Sequence, residues 1–196
     1  MGSQIHYLAK VSILAAIAAL LMFFEVPVPL MPVFLKLDIS DLPAVVGAFL
    51  LSPWAGVAIE LIKNLIHAFN SQTMMIGEVA NFLVGAAFVL PAAYVYRHRL
   101  CRSGAVLGLV AGTVSMMLAA AVLDYYALIP LYQTVLHFPP DRMVALGTAA
   151  NPRIVDLKSF IVMAIVPFNI LKGVVLSLFV LMLYNKVLPA LRESCR

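Results

Sequence analysis

The chain has 196 residues, 64% of them hydrophobic and 11% charged, and its mean hydropathy is +1.04. Soluble domains carry about 25% charged residues, so this chain has too few polar side chains to cover a water-facing surface, and a soluble globular protein is excluded. The balance of 13 Lys and Arg against 9 Asp and Glu would suggest nucleic acid in a soluble protein; here it reads as membrane topology.

The opening residues MGSQIHYLAK lead into an apolar helix without a small-residue cleavage site, so a membrane helix is expected there and not a cleaved leader. That first span runs from about Leu8 to Phe24 and ends at Pro27 and Pro29. It carries Ser12, Ala15, Ala16 and Ala19, two small-xxx-small pairs that permit close approach of another helix, inside this chain or outside it. A mixed loop containing Phe34-Leu35-Lys36-Leu37-Asp38 follows. A second helix starts at Ser40 or Asp41, with Pro43 in its first turn, and breaks at Ser52-Pro53. Ten to twelve residues give only about 15–18 Å of helix, well short of a hydrocarbon core of roughly 30 Å. The third helix, Trp54 to Phe69, carries Glu60, Lys63, Asn64 and His67 at spacings of three and four, a polar stripe along one face. Helix-to-helix contacts, a pocket wall facing a hydroxylated ligand or a proton relay would account for it.

Asn70 to Thr73 make a polar turn, and Met74 to Tyr96 form a full-length fourth span with Glu78 and Asn81 as an i,i+3 pair. The fifth runs from Gly104 to about Ile129, with Asp124 near its outer end. Pro130 to Pro152 read as a loop with one short interfacial helix. The sixth begins at Val155 or Lys158 and reaches about Val187. The fold expected is all-α and polytopic: six transmembrane helices in one compact domain over residues 1–196, with a short second helix and structured extracellular loops. Arg97, Arg99 and Arg102 in one loop, Lys186, Arg192 and Arg196 after the last span, and Lys10 at the start of the first all fall on one side. The positive-inside rule makes that side cytoplasmic, with both termini there.

The last span holds Pro167-Phe168-Asn169-Ile170-Leu171-Lys172-Gly173 between apolar flanks. An amide and an ammonium three residues apart share a helical face at membrane depth, where such groups face a cavity, a partner or a ligand. With Asp124 they match a flat heterocycle whose edge alternates carbonyl, N–H and carbonyl: Lys172 and Asn169 donate, and the carboxylate accepts. An internal Asp124–Lys172 ion pair tying two helices explains the same residues. Phe34, Tyr125, Tyr126, Tyr132 and Phe168 are able to stack on an aromatic ring or to form an interfacial belt. His6, His67, His98 and His137 form no metal pattern, and Cys101 and Cys195 give neither a disulfide nor a metal signature. No Gly-x-x-x-x-Gly-Lys-Ser/Thr loop, serine elbow or HExxH is present. Uphill transport would therefore draw on ions or on another subunit. The competing reading is an ion-coupled carrier or intramembrane enzyme titrating Asp124, Glu60 or Glu78.

Several segments, in this order, resemble the riboflavin-binding S components of energy-coupling factor (ECF) transporters. They are Phe34 to Pro43, Gly56 to His67, Gly77 to Leu83, Asp124 to Tyr132 and Pro167 to Gly173. The resemblance implies a monomeric capture subunit without catalytic or metal residues, and riboflavin as transported substrate, not cofactor. It implies partnership with a transmembrane coupling subunit and two cytoplasmic ATPases, in a lipid membrane and without nucleic acid. It also implies that Asp124, Asn169, Lys172, Leu37, Asp38, Asn64, Glu78, Tyr125 and Phe168 bind the vitamin. Ser12, Ala15, Ala16 and Ala19 would dock the coupling subunit. Asp124 stands where relatives commonly carry asparagine, which keeps the imide acceptor and removes the amide donor.

Overall fold

A computed structural model describes residues 2–29, 31–32 and 35–187. Phe34, Arg192, Cys195 and Arg196, all weighed above, lie outside the described residues. The described chain is helical apart from one two-stranded ribbon. Helix α1 spans Gly2–Met22. Strands β1 (Val26–Pro27) and β2 (Lys36–Leu37) pair antiparallel, Val26 opposite Leu37. Then come α2 (Leu42–Leu50), α3 (Pro53–Ala68) and α4 (Ile76–His98). The next rod, α5, runs unbroken over Arg102–Val135. A short α6 (Pro140–Ala150) precedes α7, which opens at Leu157–Phe160 and ends with Val166–Val187.

Four of these helices are long and apolar enough to cross a membrane: α1, α4, α5 and α7. The other two expected crossings fall short by length. At nine and sixteen residues, α2 and α3 span roughly 14 and 24 Å. Leu51 and Ser52 separate them, and Ser52 caps α3, accepting from the Ala55 amide at 3.0 Å. The fifth helix passes its expected end at Ile129 and covers 34 residues, roughly 50 Å. Pro130 does not stop it, because a π-helical turn at Asp124–Leu128 lies just before and the proline sits at the start of the resumed α-helix. A second π-helical turn, Ile161–Ile165, lies in α7.

One end of the bundle gathers the start of α1, the α2–α3 turn and the end of α4. Tyr7 Oη lies 2.9 Å from Ser52 Oγ, and Arg97 donates to the Leu51 carbonyl at 2.9 Å. At the other end, Phe23 packs on the His67 ring at 5.2 Å. Helices α4 and α5 touch backbone to backbone because Gly108 and Gly112 lie one turn apart. A Cβ on either would stand 2.4 Å from the Ala92 carbonyl or 2.6 Å from that of Phe88. Gly173 likewise lets α7 rest on Thr113 of α5.

Two apolar clusters build the interior. The larger joins α1 to α5 with Leu176, Val180 and Tyr184 of α7. The smaller joins the far part of α5 with α6 and with Phe160, Ile161, Ala164 and Ile165 of α7. Along α7, Asn169 and Lys172 fall between the two.

Candidate functional site

Lys172 is buried at that junction, and its ammonium is fully engaged. It lies 2.9 Å from Asp41 Oδ2 and 3.1 Å from Asp38 Oδ2, and donates to Asn81 Oδ1 at 3.3 Å. Three partners use all three donors of an ammonium. Asp41 is the N-terminal boundary residue of α2, yet it makes no side-chain capping bond. Its carboxylate turns inward instead, taking Lys172 on one oxygen and Lys63 on the other. Lys63 also reaches Ser40 Oγ at 2.9 Å and Glu60 Oε2 at 2.9 Å. Asp38, in the loop after β2, accepts from the Ser40 amide at 2.8 Å and from its hydroxyl. Burial pushes the Asp38 carboxyl up, but the Lys172 and Lys63 ammoniums and the Ser40 hydrogen bond outweigh it and hold it below the usual carboxylate range.

A neutral arm extends this network into α3 and α4. Asn81 Nδ2 donates to Asn64 Oδ1 at 3.1 Å, and Asn64 Nδ2 donates back to the Glu60 carbonyl at 2.8 Å. Farther out, Glu78 is held from both sides. One oxygen meets His67 Nδ1 at 3.1 Å; the other accepts from Ser71 Oγ at 2.8 Å and Thr73 Oγ1 at 3.2 Å. The stripe at positions 60, 63, 64 and 67 therefore faces inward along its whole length, engaged with neighbouring elements.

The expected residues fall into two groups. Lys172, Asp38 and Asn64 share the network, and Leu37 sits one residue before Asp38 on β2. Asn169 is buried and donates to the Ile165 carbonyl at 2.9 Å, on the π-helical turn. Phe168 is buried beside it. Asp124 stands apart. The Gly173–Thr113 contact sets the register of α7 on antiparallel α5. Asp124 lies eleven residues beyond Thr113, roughly 16 Å along the axis. A Lys172 side chain cannot bridge that gap, so the internal Asp124–Lys172 pair does not form, and Lys172 takes Asp38 and Asp41 in its place. The Asp124 carboxylate makes no hydrogen bond or ion pair among the described residues. Tyr125 packs edge-on against Tyr126 at 4.9 Å and borders the smaller cluster.

The four small residues of α1 also divide. Ala15 and Ala19 are buried in the bundle, 1% and 4% exposed, whereas Ser12 and Ala16 are exposed. Sequence reasoning missed Asp41 as a partner of Lys172, because its place before a proline-started helix reads as a cap. It missed Ser40 for the same reason. The remaining signal was the unusual density of charge in Asp38-Ile39-Ser40-Asp41, just ahead of a helix too apolar to lie in water.

Known proteins resemble this chain over most of its length. Residues 6–184 match the family described as ECF transporter, substrate-specific component. The riboflavin transporter RibU of Staphylococcus aureus is 36% identical over 186 residues, which cover 95% of this chain and 92% of that one. The riboflavin transporter FmnP of Bacillus subtilis is 33% identical over 194 residues, covering 97% and 96%. A solved S component of a bacterial ECF transporter superposes with a TM-score of 0.77 at 34% identity, covering 96% of this chain and 98% of that one.

Proposed function

The chain belongs to the substrate-specific component family of ECF transporters, and from that premise we propose how its polar layer captures a vitamin. It is a riboflavin transporter of this kind, a multi-pass protein of the cell membrane that binds its substrate and does not transform it. The domain makes six crossings, α2 and α3 counting as two that lean on neighbouring helices instead of lipid. Both termini and the Arg97–Arg102 loop face the cytoplasm, and the β1–β2 ribbon faces outward. The transmembrane coupling subunit and two ATPases supply the energy, and the chain alone is monomeric.

The observation that carries the site is the junction on α7, where Asn169 and Lys172 lie buried between two apolar clusters beneath the Asp38 loop. The isoalloxazine ring enters between them and the π-helical turn at Asp124. Its carbonyls take donors from Asn169 and Lys172, while Asp124, farther along α5, faces the other end of the ring. Phe168, Tyr125 and Leu37 wall the ring, while Asn64 and Glu78 border the pocket where the hydroxylated arm lies. Lys172 has no spare donor, so a flavin carbonyl has to displace a partner. The 3.3 Å bond to Asn81 is the longest and yields first. Among the small residues of α1, the exposed pair Ser12 and Ala16 dock the coupling subunit.

Purified protein titrated with riboflavin tests the reading by flavin fluorescence quenching. Saturable binding supports it, and no binding across several detergents and lipids overturns it. Transport by liposomes containing this chain alone would favour an ion-coupled carrier.

A further inference from the structure

Five ionisable side chains share one sealed volume: Asp38, Asp41 and Glu60 against Lys63 and Lys172. Their side chains are 10%, 0%, 0%, 0% and 6% exposed, in that order. Three carboxylates against two ammoniums leave one negative charge over if all are ionised. An unbalanced charge in such surroundings is relieved by taking up a proton, because desolvation of the bare ion costs far more than the neutral acid.

The geometry singles out which carboxyl does so. Asp41 touches both lysines. Asp38 has Lys172 together with the Ser40 amide and hydroxyl. Among the described residues Glu60 has only Lys63, near one oxygen, and Lys63 is shared with Asp41 and Ser40. The second oxygen, Oε1, is fully buried with no hydrogen-bond partner among the described residues. Against the carboxyl α4 presents Gly85, whose missing Cβ would stand 2.5 Å from Oε2 and 3.4 Å from Oε1. Gly85 leaves space for the carboxyl to pack there and offers it no side-chain donor.

We infer that Glu60 is a proton-binding site, occupied at neutral pH, which leaves two carboxylates balanced by two ammoniums. The charged groups acting on it are Lys63 of its own helix, Asp41 at the start of α2 and Lys172 of α7. Asp38 joins them through the same two lysines. From α4, the residue against it is uncharged Gly85. The inference stands on the ligand-free arrangement and does not depend on which substrate the pocket takes.

Infrared spectra of the full-length, ligand-free protein in detergent at pH 7, in H2O and D2O, test it, all in an Asp124→Asn background that removes the unpaired carboxyl of α5. A carboxylic-acid carbonyl band is expected in this background and its loss on adding Glu60→Gln. The charge balance adds a sharper outcome. Asp38→Asn removes one negative charge elsewhere, so Glu60 should release its proton and the same band should be lost although Glu60 is intact. Should Glu60→Gln fail to fold, Lys63→Met serves instead: removing a positive charge should draw in a second proton and enlarge the band. No band in the Asp124→Asn background overturns the inference, as does a band surviving Glu60→Gln or Asp38→Asn, or one unchanged in Lys63→Met. A band that appears only when N-methylglucamine replaces sodium and potassium assigns the site to a metal cation and likewise overturns it.

Discussion

Replacing Lys172 by Met should unfold the protein more easily as well as weaken riboflavin binding, and the two effects should separate on a second substitution. Methionine keeps the length and the apolar stem but removes the ammonium. Asp41 Oδ2 then loses Lys172, which lies 2.9 Å away and is its one ion-pair partner among the described residues. Asp38 keeps Ser40 but loses its charge partner. Breaking a buried ion pair from one side costs about 3–5 kcal/mol. For a chain of this size each kcal/mol moves the midpoint roughly 2–4 °C, so a fall of roughly 6–20 °C is expected in thermal unfolding of the detergent-purified protein. Adding Asp38→Asn to Lys172→Met removes the stranded charge. It should recover a large part of that loss, with a coupling energy of about 0.5–3 kcal/mol in the double-mutant cycle. Riboflavin quenching should remain weak in the double variant, because the donor is still missing. A single variant that melts with the native protein would refute the buried ion pairing. A double variant that regains affinity would refute the role of Lys172 toward the ligand.

Gly85→Ala should cost about 1–3 kcal/mol, as overpacking does, since its methyl meets Glu60 Oε2 at 2.5 Å; an unchanged midpoint would mean Glu60 points elsewhere. Asp124→Ala should leave the midpoint within about 0.5 kcal/mol, because no internal partner is lost, while weakening riboflavin by about 1–3 kcal/mol. Equal affinity would remove Asp124 from the pocket. Ser12→Leu and Ala16→Leu should preserve riboflavin binding and lower ATP-dependent uptake in the reconstituted complex, whereas Ala15→Leu should destabilise the isolated chain. Identical behaviour of all three would dissolve the division of that helix into an inner and an outer face. Asp38 sets an acid limit. Its folded-state value lies below the unfolded 3.8, so its contribution is whole above that pH and fades only as the pH falls further. Circular dichroism melts should show Asp38→Asn less acid-sensitive than the native chain below about pH 4.

Much of the architecture is legible because it follows from solvent. Long apolar runs have to be helical in hydrocarbon, where every backbone group needs an internal partner, and so α4 and α7 lie close to their expected bounds, while α1 begins six residues ahead of its expected start at Leu8. The end of α5 was missed by several residues, since a proline normally stops a helix unless it falls at the first turn of a renewed one. The close seam of α4 on α5 was available in the sequence as Gly104, Gly108 and Gly112 at every fourth position, but only packing shows which helix they face.

The site is legible in kind and not in pairing. That Asn169, Lys172 and Lys63 must have partners follows from the cost of bare polar groups at membrane depth. Which partners they take depends on elements far apart in the chain. Lys172 meets Asp38 across 134 residues, and the register of α7 on α5 carries Asp124 out of its reach. The composition alone settles that this is a helical membrane protein holding charge inside apolar surroundings. Only the tertiary structure decides that the Asp38–Asp41 loop supplies the counter-charges, because electrostatic pairing acts over a few ångströms of space and takes no account of separation along the chain.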